Sequence, residues 1–333
     1  MGKVKVVKNK EEKPKKRKRK VAFITISVIL AILFSLFLAS YILIGSYFFK
    51  FSLDSSFDIV TQAPNDLVES MPLPERKQEW FDNIPKNVEE IRSDDGYKLK
   101  AYNISADNNE HKWVITIHGY RGNCLEMTNY AYHFYNKGFN VLMPDLKGHG
   151  SSEGKYIGMG YNDRFDVIKW INLIIDKDPE AKIVLHGVSM GGVTVMMTTG
   201  ENIPKNVVCA IEDCGYSSVK EQFDYIAEEI LDLPVKNFIM SAADLFVRMN
   251  LGYPLSDMDA VELLKKSRTP TLFIHGDSDN FVPFSMLDVV YNANNNIEKE
   301  KLVVEGATHA YSATHNPSLY FSTVFEFVDK YMA

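Results

Sequence analysis

The sequence predicts an α/β fold: a mainly parallel central sheet with helices on both faces, a small helical insertion, and one transmembrane helix in front. Three observations carry this. From Trp113 onward, short apolar runs alternate with stretches of helical spacing, a pattern that lays parallel strands under helices on both faces. Residues 21–49 are 29 consecutive positions without a charge, more than the roughly 20 that a bilayer requires. Gly187-Val188-Ser189-Met190-Gly191 stands between an apolar run and the start of a helix, where a tight strand-to-helix turn is expected.

The amino-terminal elements come first. Residues 1–20 hold nine Lys, two Arg and two Glu, a net +9; the whole chain is −6, so residues 21–333 carry −15. By the positive-inside rule the basic end stays in the cytoplasm and the rest of the chain lies outside the cell membrane. A basic run also suits nucleic acid, but the adjoining apolar span and the acidic remainder speak against that partner. A cleaved signal peptide is the alternative to an uncleaved anchor. Its apolar region is usually about 7–15 residues, and no small-x-small site with a polar end follows here. The expected organisation is a basic cytoplasmic tail at 1–20, a transmembrane signal anchor at 21–49, a juxtamembrane linker at 50–74 and one domain at 75–333. Phe48, Phe49, Phe51 and Phe57 suit either the membrane interface or packing on the domain. The core is expected to be complete without span and linker, so a chain beginning near Ser70 should be active.

Within the domain, residues 75–82 suit a short helix, and 88–92 with 97–103 a hairpin around Asp95-Gly96. Strands are expected at 113–118, 141–144, 183–186, 207–213, 271–275 and 301–304, and helices at 124–136, 162–175 and after Gly191. Residues 217–266 interrupt the alternation. Val219, Phe223, Ile226, Ala227 and Ile230 recur at helical spacing, and Pro234 is placed at the start of a second helix with Phe238, Ile239, Ala242, Phe246 and Met249 on one face. Cys124, Cys209 and Cys214 form no disulfide framework, and an odd count leaves one unpaired.

The chemistry starts at Ser189. Gly187 and Gly191 leave room in a turn too tight for side chains, so the serine hydroxyl stands exposed above the sheet as a nucleophile. Such a serine needs a base and an orienting carboxylate, which follow in the order Ser, Asp or Glu, His on this kind of fold. Asp277 and Asp279 lie just past one predicted strand, His309 just past the next. That is the side of an open α/β sheet where ligands bind. There is no G-x-x-x-x-G-K-[ST] and no G-x-G-x-x-G, so a phosphate cradle is not supported.

His275-Gly276-Asp277-Ser278-Asp279-Asn280-Phe281-Val282-Pro283 resembles the acid loop of the α/β-hydrolase superfamily. The resemblance implies that Asp279 is the acid, with Asp277 as runner-up, and that His309 is the base, with His315 the competitor. His118-Gly119-Tyr120 resembles the family's HG loop, which implies an oxyanion hole from the backbone N–H groups of Tyr120 and Met190. The insertion at 217–266 matches the family's lid in position. The branch it resembles is serine aminopeptidase-like and monoacylglycerol-lipase-like, and with its anchor the chain resembles membrane-anchored surface hydrolases of Gram-positive bacteria. What this implies is cleavage of a small-molecule or lipid carboxylic ester through an acyl-serine, with no metal and no organic cofactor. A peptidase, thioesterase or acyltransferase would use the same triad. A non-catalytic binding module is a further alternative, although such proteins usually lose a triad member.

Overall fold

The computed structural model describes residues 12–58, 75–107 and 110–332. Helix α1 (Glu12–Leu53) is continuous over 42 residues. Each of its residues 21–39 is exposed, over a length of about 28 Å at 1.5 Å per residue, close to one bilayer core. From Ser40 the helix enters the protein. Here the structure differs from the sequence expectation, which ended the helix at Phe49 and began a linker at Lys50. Residues 50–53 are helical, and Phe49, Phe51 and Leu53 are buried. Ile157 donates its N–H to Leu53 O at 2.8 Å. The remainder of the expected linker, residues 59–74, and the first part of the basic tail, 1–11, lie outside the described residues.

A short helix α2 (Gln78–Asn83) precedes the sheet. Strands β1 (Asn87–Arg92) and β2 (Lys98–Ile104) form the expected hairpin. Then follow β3 (Lys112–Ile117), a 3₁₀ turn (Cys124–Met127) running into α3 (Thr128–Asn136), β4 (Asn140–Pro144), α4 (Asp163–Lys177), β5 (Lys182–Val188), α5 (Met190–Thr199) and β6 (Val207–Asp213). The strand order is β1-β2-β4-β3-β5-β6, continued by β7 (Thr271–Gly276) and β8 (Lys299–Val304). β1–β2 and β2–β4 are antiparallel, and every later pair is parallel.

Two-residue periodicity builds the two cores. Ile115, Leu185, Ala210 and Phe273 face one layer with Val167, Trp170 and Ile171 of α4. Val114, Val184, Ile211 and Leu272 face the other, with Phe134 of α3. Tyr320 and Phe327 of the last helix complete that second layer. Apolar side chains on both faces are what a parallel sheet under helices demands.

The insertion holds α6 (Val219–Tyr225), a π-helical turn (Ile226–Ile230), α7 (Lys236–Leu251) and α8 (Ala260–Leu264). Pro234 does not open α7. Val235 takes a left-handed conformation, φ 53°, and the helix starts one residue later. The apolar face of α7 has an unexpected partner, α1. Phe238 meets the rings of Phe37 and Tyr41 edge-on at 5.4 and 5.2 Å, and Tyr41 Oη lies 2.9 Å from Ser241 Oγ. Gly45 sits so close that a Cβ there would be 2.5 Å from Ala242 O. Met249, expected on the same face, is exposed. After β7 come α9 (Ser285–Ala293), β8, α10 (Ser312–His315) and α11 (Pro317–Met332).

Candidate active site

Strand β5 runs into α5 through a single residue, Ser189, at φ 57° and ψ −121°. Such a backbone is costly for a non-glycine residue and persists only where its surroundings enforce it. They do so here. A Cβ on Gly187 would lie 2.1 Å from Gly191 O, and one on Gly191 would lie 2.0 Å from Ile117 O. Ser189 N–H donates to Asp213 O at 2.8 Å, tying the turn to β6.

The carboxyl ends of β5, β7 and β8 then bring three side chains together. Ser189 Oγ donates to His309 Nε2 at 2.9 Å, and His309 Nδ1 donates to Asp279 Oδ2 at 2.7 Å. All three residues are buried. Asp279 Oδ1 accepts from the N–H groups of Phe281 and Val282, both at 2.9 Å. A second histidine, His275, places Nε2 at 3.2 Å from Asp279 Oδ2. Burial alone would raise the Asp279 pKa, but the two histidines hold it well below the usual carboxylate range. Asp279 is therefore ionised and fixes the imidazole tautomer. The two competitors stand apart. Asp277 accepts from Gly306 N–H at 2.7 Å, a turn-capping bond, and His315 is exposed on α10.

Gly119 faces the elbow, since a Cβ there would be 3.4 Å from Ser189 Cβ. Among the described residues, neither Tyr120 N–H nor Met190 N–H is held by an acceptor in the protein. Met190 is also the first residue of α5, so its N–H is one of the orphan donors of a helix start. The loop is braced by two neutral histidines. Burial pushes His118 down to about 4 and His149 to about 3. Each therefore offers a bare Nε2, which accepts from Leu146 N–H and Arg121 N–H respectively.

Arg121 and the Tyr120 side chain carry functions that sequence reasoning missed. Tyr120 Oη donates to Ser52 O at 2.8 Å. Arg121 donates to Phe51 O, Asp54 O and Phe57 O at 2.8–3.1 Å, and to Tyr120 Oη at 3.0 Å. A cation at a helix carboxyl end satisfies orphan carbonyls and suits the macrodipole. The loop beside Ser189 thus grips the end of α1. Its partners are backbone carbonyls some seventy positions away, so no local motif announces them.

Against Ser189 lies an apolar cavity of about 60 Å³, several times what one water needs. Phe48, Phe51, Ile226, Leu231, Met240 and Phe281 line it. No charged side chain among the described residues does so. Gln222 Nε2 donates to Phe281 O at 2.7 Å, fastening the insertion to the acid loop. Cys214, Asp279 and His309 come within 4.8 Å of one another, a spacing that could hold a metal ion. Burial pushes the Cys214 thiol well above its ordinary pKa, and a protonated thiol is a poor ligand. The other ring and carboxylate atoms are already hydrogen-bonded to each other. All three cysteines are free and buried.

Residues 108–232 match the family model described as "Serine aminopeptidase, S33". The chain is 30% identical over 252 residues to the uncharacterized protein YqkD of Bacillus subtilis (strain 168), covering 75% of this chain and 82% of that one. It is 21% identical over 237 residues to a thermostable monoacylglycerol lipase of Bacillus sp. (strain H-257), covering 66% and 90%. Its fold is similar to that of the esterase Pf2001 of Pyrococcus furiosus, with a TM-score of 0.64, 23% identity and coverage of 79% and 97%. Fold and relatives agree, and the chain belongs to the α/β-hydrolase superfamily.

Proposed function

We propose that this protein is a membrane-anchored extracytoplasmic serine hydrolase that cleaves a carboxylic ester. The observation that carries the reading is the continuous chain from Ser189 Oγ through His309 to Asp279, with links of 2.9 and 2.7 Å. Ser189 Oγ attacks the ester carbonyl carbon while its proton passes to His309 Nε2. The oxyanion is held by the Tyr120 and Met190 N–H groups; losing one such donor typically costs about 10²–10³ in rate. The carbon–oxygen bond breaks, and the leaving alkoxide takes the proton from His309. Water then attacks the acyl-serine, gives its proton to His309, and releases the acid as the serine re-forms. Asp279 stays ionised throughout and stabilises the imidazolium.

The ester reading is favoured over the peptidase reading by the cavity. A peptidase for small peptides needs a charged group to hold a peptide terminus, and no charged side chain among the described residues lines the space beside Ser189. The monoacylglycerol lipase among the relatives supports the same preference. Anchoring rests on the apolar helix at residues 16–53, and orientation on the basic residues before it. The test is full-length protein in lipid nanodiscs with a fluorophosphonate probe and short-chain esters. Wild type should label and turn over, and Ser189→Ala should do neither while keeping its melting temperature. Wild-type turnover by Ser189→Ala would remove the nucleophile assignment.

A further inference from the structure

The exposed stretch of α1, residues 21–39, is long enough for one bilayer core. The helix does not stop at the membrane surface. Its next 14 residues, 40–53, enter the domain between two clamps. On one side is α7, packed on it through Phe238, Ser241 and Ala242. On the other are Tyr120 and Arg121, which bind its terminal carbonyls. The cavity beside Ser189 lies between these clamps, and Phe48, Phe51 and Ser52 of α1 form part of its wall. Phe238, near the start of α7, meets Phe37 and Tyr41, so α7 begins at the level where the exposed span ends.

We infer that the last turns of the anchor are part of the active site, and that the cavity they wall takes the hydrocarbon chain of an ester residing in the same membrane. This deepens the ester-hydrolase reading and rests on it. A chain moving from bilayer to this cavity passes between two apolar surroundings. Both spare its methylenes contact with water, which is unfavourable for each. The carbonyl then stops at Ser189, because the apolar wall ends at the polar groups of the triad and of the Tyr120 and Met190 amides.

Two measurements on the full chain in nanodiscs test this. In the first, the Ser189→Ala protein is irradiated with a diazirine-bearing palmitic acid, and the adducts are mapped by mass spectrometry. Adducts on peptides containing Phe48, Phe51, Ile226 or Leu231 support the pocket; adducts confined to residues 21–39 overturn it. In the second, Ala243→Phe, which fills the cavity from α7, is compared with wild type on dodecanoyl and butanoyl esters. The ratio of kcat/KM for the long over the short ester should fall at least tenfold; an unchanged ratio overturns the proposal while ester turnover upholds the hydrolase reading. Adducts in the pocket without turnover of any ester would reject the ester reading and retain the pocket.

Discussion

At the scale of the residue, Asp279 and Asp277 pose the sharpest contrast. They are two positions apart, yet one is buried against His309 and the other caps a turn at the surface. Asp279→Asn should lower kcat by about 10⁴-fold, as expected when an imidazole loses its orienting carboxylate; Asp277→Asn should stay within a few-fold in the same assay. Beneath the site, burial raises Glu212 to about 8, only partly offset by His275 and by the Gly215 N–H. The unfolded chain releases that proton near the ordinary carboxylate value, so above it the folded state binds more protons and stability falls as pH rises. The thermal midpoint should therefore drop between about pH 5 and pH 9, and drop less steeply in Glu212→Gln. Much at this scale was legible in the sequence. Ser189 was legible from the tight turn its flanking glycines permit, and Asp279 and His309 from the resemblance of their loops to those of the α/β-hydrolase superfamily. Arg121 was not, because its acceptors are main-chain carbonyls brought near only by the tertiary fold.

At the scale of the element, the strands could be read from their apolar runs and the helices before β7 from helical spacing, with ends displaced by one to three residues, whereas α9 and the core helix α11 were not anticipated. The aromatic segment after the span could not be placed either. A run of Phe residues is equally apolar in a membrane interface and in a protein core, and a helix face at regular spacing does not name what covers it. The structure decides both points: α7 covers α1, and Phe49, Phe51 and Leu53 are buried. The expectation that a chain beginning near Ser70 is complete is thereby corrected. Each of these three side chains contributes about 2 kcal/mol by burial. In mild detergent, a chain beginning at Ser70 should melt about 10 °C below one beginning at Ser40. Equal midpoints, read by circular dichroism, would mean that the segment is dispensable.

At the scale of the whole molecule, the charge asymmetry sets the prediction. A tail of +9 precedes the span and −15 follows, so the domain should lie outside the cell. Protease added to intact cells should digest it, and a reporter active only in the cytoplasm should be silent when fused after Ala333. One feature of the assembly reaches into biosynthesis. The wall that α1 gives to the cavity leaves the ribosome about 250 residues ahead of His309. At about 5–20 residues per second, α1 is made roughly 10 s or more before His309, time in which the proposed anchor would settle in a bilayer. On the proposed reading, the site is assembled around a piece of the chain that is already in place, at the membrane rather than delivered there.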